Sequence, residues 1–148
     1  MDQIQIFTIG FTKKTAEYFF EKLCEAGVKR VVDIRLNNAS PLSGFAKRDD
    51  LRYLLKAICG MDYIHNLELA PTKDILDEYK QSKRDWPLYE KRFLALLSNR
   101  RIEQKLSKIT MDGSCLLCRE DRPDLCHRRL VAEYLKEKWG NVHIIHIL

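Results

Sequence analysis

The sequence predicts an α/β protein with a mostly parallel five-stranded sheet and helices on both faces, a three-layer arrangement. Short, continuous apolar runs, which are typical of buried parallel strands, recur along the chain. Helical periodicity fills most of the segments between these runs. The predicted order, βαβαβααβαβ, alternates strands with helices, and right-handed crossovers then build a parallel sheet.

The five predicted strands are short, and several are rich in β-branched residues. They cover Ile4–Ile9, Val28–Ile34, Met61–His65, Ser114–Cys118 and Val142–Leu148.

Apolar residues spaced three and four apart predict five helices. Thr15 is the predicted N-cap of the first helix and Gly27 its C-cap, and Gly60 ends the second. The third helix runs from Pro71 through Tyr79, and Asp85 caps the fourth.

The fourth predicted helix is followed by a further helical phase at Ile102, Leu106 and Ile109. The last helix starts near Asp124 or Cys126 and directs His127 toward the sheet together with its apolar residues. The segment 37–44, with its Asn, Ser, Pro and Gly residues, is predicted to be a loop.

Composition favours a single domain over residues 1–148, since 45% of the residues are apolar and 32% are charged. A chain of this length can bury a core without disulfides or metal ions to stabilise it. No apolar run is long enough to span a membrane, and no secretory leader is recognisable, so we expect a cytoplasmic protein with no membrane partner.

The odd number of cysteines, five, predicts reduced thiols. Cys24 and Cys59 lie in helical patterns and are expected to be ordinary core or surface residues.

The net charge of +5 is unevenly distributed. The segment from Lys80 to Lys108 holds nine Lys and Arg against three Asp and Glu, a net +6, so the rest of the chain carries −1. Such a stripe could contact the phosphates of a nucleic acid. A solvated helical face is the simpler interpretation, because no interleaved aromatic pattern accompanies the charges.

Ligands of doubly wound sheets, whether Rossmann-like or flavodoxin-like, bind beyond the carboxyl ends of the strands. Polar and reactive residues of this chain concentrate at or just beyond those predicted ends: Thr8, Gly10, Asp33, Arg35, Cys118, Glu120, Cys126, His127 and Arg128.

We predict that Arg35 and Arg128 bind an anionic substrate, helped by Thr8 and Gly10. Asp33 would act as a base, or else as a carboxylate that orients Arg35.

Proton transfer is predicted for Glu120 and His127, and nucleophilic attack for Cys118 or Cys126. A buried histidine bonded to a backbone carbonyl is the structural alternative for His127. Glu120 could likewise be only a helix-cap partner.

A metal site is a second interpretation of the same segment. The possible zinc ligands are Cys118, Cys126 and His127, and zinc is the one cofactor that the sequence suggests. Cys115 is excluded from a shared site, because residues 115 and 118 of a strand point to opposite faces.

The pattern Cys-x-Glu-x-x-Pro-x-x-Cys-His-Arg, which begins at Cys118, resembles the domain of unknown function 488 family. Thr-Ile-Gly near the N-terminus, Asp-x-Arg at Asp33 and the aromatic middle with Trp86 resemble it too. The resemblance implies an α/β domain with a shared site but no particular reaction. One departure is Phe11, which stands where the family pattern has histidine.

Together these observations predict an enzyme, a hydrolase or transferase, that acts on a small anionic substrate, phosphate-bearing and nucleotide-like, or on nucleic acid. A non-catalytic module that binds nucleic acid or a partner is the first alternative. A metal-binding protein that uses Cys118, Cys126 and His127 is the second.

Overall fold

The structure, a computed structural model, describes residues 3–148. Five strands form a single parallel sheet: β1 Ile4–Gly10, β2 Arg30–Asp33, β3 Asp62–His65, β4 Ser114–Cys118 and β5 Val142–His146. Their order across the sheet is β3-β2-β4-β1-β5. The predicted parallel five-stranded sheet is therefore confirmed. The second and last strands are shorter than predicted.

The helices are α1 Ala16–Ala26, α2 Arg48–Cys59, α3 Lys73–Gln81, α4 Trp86–Arg100, α5 Ile102–Lys105, α6 Lys108–Met111 and α7 His127–Trp139. None of the helices within residues 3–148 is long and apolar enough to cross a membrane. The predicted caps are confirmed, because the side chains of Thr15 and Asp85 accept backbone N–H bonds and Gly27 and Gly60 adopt the left-handed conformation.

Two details differ from the predicted elements. The segment Pro41–Ala46, predicted as loop, forms 3₁₀ turns, with the side chain of Ser40 accepting from the N–H of Leu42. The helical phase after α4 is broken into α5 and α6, because the backbone of Leu106 is extended between them.

The sheet is covered on both sides, which confirms the three-layer architecture. One face packs against α3, α4 and α7 through a cluster that includes Phe93 and Leu130. The other face packs against α1 and α2, with Phe19 and Leu51 at its centre.

Strand order brings the predicted site residues together. β4 lies between β2 and β1, so Cys118 pairs with Gly10 and Leu117 with Asp33 at the carboxyl edge of the sheet. Segments far apart in sequence therefore end side by side, and the β4–α7 loop (residues 119–126) emerges between them.

Much of the basic stripe is engaged in local contacts. Arg92 pairs with Glu78 and Asp74, while Arg100 donates to three backbone carbonyls near Glu68. These contacts join α4 to the neighbouring segments, in keeping with the simpler interpretation of the stripe as a helical face.

The expectation of reduced, unpaired thiols at Cys24 and Cys59 is wrong. The structure joins them in a disulfide with a Cα–Cα distance of 5.7 Å, within the usual range. The sequence pattern could not reveal this pairing, because it depends on how α1 and α2 pack together on one face of the sheet.

Removing this disulfide should lower stability under oxidising conditions. The bond closes a loop of 35 residues, for which restriction of the unfolded chain contributes about 4 kcal/mol. We expect Cys24→Ser to unfold at lower urea concentration than the wild type when no reductant is present. With dithiothreitol the two proteins should converge; equal midpoints without reductant would contradict a stabilising bond.

Candidate active site at the carboxyl edge of the sheet

A cavity of about 410 Å³ opens at the carboxyl edge of the sheet. Its lining includes five of the predicted site residues: Arg35, Cys118, Glu120, Cys126 and His127. The other four predicted residues, Thr8, Gly10, Asp33 and Arg128, are buried beside the cavity and do not line it.

Asp33 is fully buried and holds Arg35 in place. Its two carboxylate oxygens accept from Nε and Nη2 of Arg35 at 2.8 and 2.7 Å. Tyr63 and Asn38 donate to the same carboxylate. Burial alone would raise the pKa of Asp33, but the hydrogen bonds and charge of Arg35 outweigh it and hold that pKa below its usual value. Of the two roles predicted for Asp33, these contacts match the orienting one.

Arg35 is fixed except for one amino group. Nη2 also donates to the carbonyl of Ala46, and the guanidinium lies 5.2 Å from the ring centre of Phe11. Nη1 is buried and has no hydrogen-bond partner within residues 3–148. Buried donors without partners are rare, and this one belongs to a residue that lines the cavity.

Arg128 occupies a different position from the one predicted. Its side chain is completely buried, so it does not contact a ligand in the cavity. Its donors reach the backbone carbonyls of Glu120 and Asp121, Thr8 Oγ1 and, at 3.3 Å, Cys118 Sγ. Burial lowers the pKa of Arg128 to about 10, so it stays charged at neutral pH. The predicted anion-binding role is therefore replaced by one in holding the β4–α7 loop.

Within residues 3–148, Arg128 forms no ion pair with a carboxylate. A buried charge needs a compensating partner. The carboxylates of Asp121, Glu120 and Asp124 act on Arg128 at longer range, and Cys118 Sγ accepts one of its hydrogen bonds.

Thr8 and Gly10 shape this arrangement from β1. Thr8 Oγ1 accepts from Arg128 Nε and lies 2.6 Å from His146 Nδ1. A Cβ on Gly10 would fall 1.6 Å from the carbonyl oxygen of Glu120, so only glycine lets the loop approach β1 this closely. The structure thus gives both residues contacts with the protein itself.

The reactive side chains form a compact group that we call the sulfur cluster: Cys118, Cys126 and His127. Their sulfur and imidazole nitrogen atoms lie within 4.8 Å of one another. The two sulfurs are at bonding distance, although the Cα atoms are 7.4 Å apart. Cys126 is the N-cap residue of α7, which places the cluster where that helix meets the end of β4.

His127 points toward the sheet, as its helical phase predicts. Its Nε2 lies 2.7 Å from the carbonyl oxygen of Ile34, and Phe93 packs edge-on against the ring. Because a carbonyl can only accept, Nε2 carries the proton and Nδ1 carries the lone pair. Burial lowers the pKa of His127 to about 4, so the ring is neutral at pH 7. The carbonyl contact is the one expected of a structural histidine, but it leaves Nδ1 free for other chemistry.

Sequence reasoning missed the cationic and aromatic parts of the cavity wall. Lys80, Arg84 and Arg119 line it with Arg35, giving four cations against the single carboxylate of Glu120. Lys80 and Arg84 belong to the basic stripe, but the stripe did not reveal which of its charges face a cavity.

Trp86 and Tyr89, noted only as part of an aromatic-rich segment, also line the cavity and are stacked on each other. The cavity therefore joins positive charge to an aromatic surface.

The family model described as "Domain of unknown function DUF488" matches residues 15–135, which is most of the chain. No curated protein and no solved structure is detectably similar to the chain. The matched segment includes Asp33, Arg35 and the whole Cys118–Arg128 motif. The chain therefore belongs to the DUF488 family.

Proposed function

We propose that the protein is an enzyme that acts on a small, phosphate-bearing, nucleotide-like substrate in the cavity at the carboxyl edge of the sheet. The observation that carries this proposal is the free Nη1 of Arg35. Asp33 fixes the rest of the guanidinium and Arg35 lines the cavity, so an anionic oxygen that enters beside this residue could accept from the buried donor that the protein leaves unpaired. Such preorganisation avoids the entropy cost of ordering a surface arginine.

The rest of the cavity supports the same class of substrate. Four cationic side chains against one carboxylate favour a ligand with more than one negative charge. The Trp86–Tyr89 pair offers a planar apolar surface of the kind on which nucleobases stack. A volume of about 410 Å³ suits a mononucleotide better than a nucleic-acid duplex.

The reactive groups face the same space. The sulfur cluster lines the cavity that Arg35 lines, and Glu120 adds an exposed carboxylate suited to proton transfer. In this proposal Arg35 binds the anion, the aromatic pair holds the organic part of the substrate, and the sulfur cluster supplies the reactive centre. A non-catalytic module would need the charge and the aromatic pair but not these groups.

Calorimetric titration with adenosine monophosphate and with uncharged adenosine tests the proposed ligand class. We expect the monophosphate to bind and adenosine to bind at least about tenfold more weakly, since a charge-assisted hydrogen bond contributes about 1.5–3 kcal/mol. Arg35→Lys, which keeps the charge beside Asp33 but lacks the second amino group, should weaken monophosphate binding by a similar factor. Arg92→Lys, on the surface between α3 and α4, is the matched control and should bind normally.

Equal affinity of wild type and Arg35→Lys for the monophosphate would contradict the assigned anion contact. Turnover is followed separately by mass spectrometry of nucleotide mixtures incubated with the protein. The enzyme proposal fails if no nucleotide is converted, or if Cys126→Ala and Glu120→Gln convert it at the wild-type rate.

A further inference from the structure

We infer that the sulfur cluster is a zinc site, with Cys118 Sγ, Cys126 Sγ and His127 Nδ1 as ligands and a fourth position open to the cavity. Three protein ligands and one exchangeable position are the arrangement of catalytic zinc, and two cysteines with one histidine are a known set. One atom of each residue, the two sulfurs and a ring nitrogen of His127, lies within 4.8 Å of the others.

The structure places the sulfurs of both cysteine pairs at bonding distance, but the backbone geometry of the two pairs differs. Cys24 and Cys59 have Cα atoms 5.7 Å apart, within the range of a disulfide. Cys118 and Cys126 have Cα atoms 7.4 Å apart, beyond the limit of about 7 Å for bridging without backbone movement. Two sulfurs bound to one tetrahedral zinc lie about 3.8 Å apart, a spacing that this wider backbone separation accommodates.

The orientation of His127 is the one a metal ligand requires. Histidine ligands commonly donate their second ring N–H to a carbonyl or carboxylate, which fixes the tautomer and directs the other nitrogen at the metal. His127 donates from Nε2 to the carbonyl of Ile34 at 2.7 Å, and Phe93 packs against the ring. Nδ1 is thereby presented as a ligand by groups that lie outside the cluster.

The charge of the sulfur cluster also fits a zinc ion. Two thiolates balance the two positive charges of zinc, and each reduced cysteine would release its proton as the metal binds. Arg128, 3.3 Å from Cys118 Sγ, donates a hydrogen bond to one of the sulfurs.

All three ligand residues line the cavity, so the open position faces the space beside Arg35. The binding of zinc does not depend on the proposed function. Only the occupation of the open position by a substrate oxygen or a water molecule rests on that function.

The test is metal analysis of protein purified with reductant and without chelator, followed by reconstitution with zinc and by cobalt substitution. We expect one zinc per chain, and a cobalt spectrum with tetrahedral d–d bands and thiolate-to-cobalt charge transfer. Cys126→Ser and His127→Gln should reduce the zinc content to well below one equivalent. Cys115→Ser is the matched control, because Cys115 is buried on the opposite face of β4, and it should keep its zinc.

Circular dichroism establishes that each variant is folded, and the wild-type cobalt spectrum decides the case if a variant is not. Reduced wild-type protein that retains well under one zinc after reconstitution overturns the inference. So does a Cys118–Cys126 disulfide, found by peptide mapping, in protein that takes up no metal after reduction. Arg35→Lys should keep its zinc while losing affinity for the monophosphate, so failure of the zinc site and failure of the anion site can be distinguished.

Discussion

Asp33→Asn should destabilise the fold by about 4 kcal/mol, because it leaves the guanidinium of Arg35 buried without its counter-charge. Asp33 has no exposed surface, and its carboxylate accepts hydrogen bonds from Arg35, Tyr63 and Asn38. Urea unfolding at pH 7 measures the effect. Asp49→Asn is the matched control; its side chain is mostly exposed and pairs with Arg48, so we expect a change below about 1 kcal/mol.

The same variant should show a defined pH dependence. The hydrogen bonds and charge of Arg35 hold the pKa of Asp33 in the folded state below its usual value. A carboxyl with a lowered folded pKa contributes stability at pH values above its unfolded pKa and loses it as the pH falls through the folded pKa. The stability difference between wild type and Asp33→Asn should therefore be constant near neutrality and shrink below about pH 4. A gap that widens in acid would contradict the ion pair.

Arg128→Met should lower the free energy of unfolding by a comparable amount, about 3–5 kcal/mol, although the substitution leaves no carboxylate unpaired. Methionine fills much of the same volume but cannot donate to the carbonyls of Glu120 and Asp121 or to Thr8 Oγ1. These acceptors, which are buried or partly buried, would lose a charged donor, and Cys118 would lose the neighbouring positive charge. The β4–α7 loop should then become more mobile.

Urea unfolding tests the predicted loss of stability, and hydrogen exchange of residues 119–126 tests the predicted mobility of the loop. Arg129→Met is the matched control, since Arg129 is the next residue of α7 and makes partly exposed contacts with Glu133 and the Asp124 carbonyl. We expect it to lose less than about 1 kcal/mol. If both variants unfolded at the same urea concentration, the contacts of Arg128 would not be what holds the loop.

Local patterns predicted the layers of this protein well. Apolar runs bounded by Gly10, Gly60 and Gly140 indicated strands and turns, and three- and four-residue spacing indicated the longer helices. These signals are local, because a buried strand needs apolar residues on both faces and a packed helix needs an apolar stripe. The helical phase after α4 was predicted, but its division into α5 and α6 was not, since Leu106 leaves the helical conformation without a glycine or proline to mark the break.

The sequence also predicted that the reactive residues would gather at the carboxyl ends of the strands. It did not predict which contacts each of these residues would make. Arg35 follows a strand and Arg128 lies at the start of a helix, but in sequence each stands beside a polar motif and offers the same charge. The structure leaves one amino group of Arg35 unpartnered and engages Arg128 with backbone carbonyls. That difference depends on which segments surround each side chain, and it arises from strand order.

Phe11 illustrates the same limit. The resemblance to the family pattern led us to expect histidine at this position, whereas the structure places the Phe11 ring 5.2 Å from the guanidinium of Arg35. An aromatic ring there supports a fixed cation.

By itself, the sequence determined the α/β class, the principal helices and strands, and the concentration of reactive residues near the strand ends. Only the tertiary structure decided that Cys24 joins Cys59, that Arg128 is buried, and that Cys118, Cys126 and His127 meet beside the free donor of Arg35. Periodicity records which face of an element is buried, but distances between elements depend on the order β3-β2-β4-β1-β5 and on the packing of helices across that sheet.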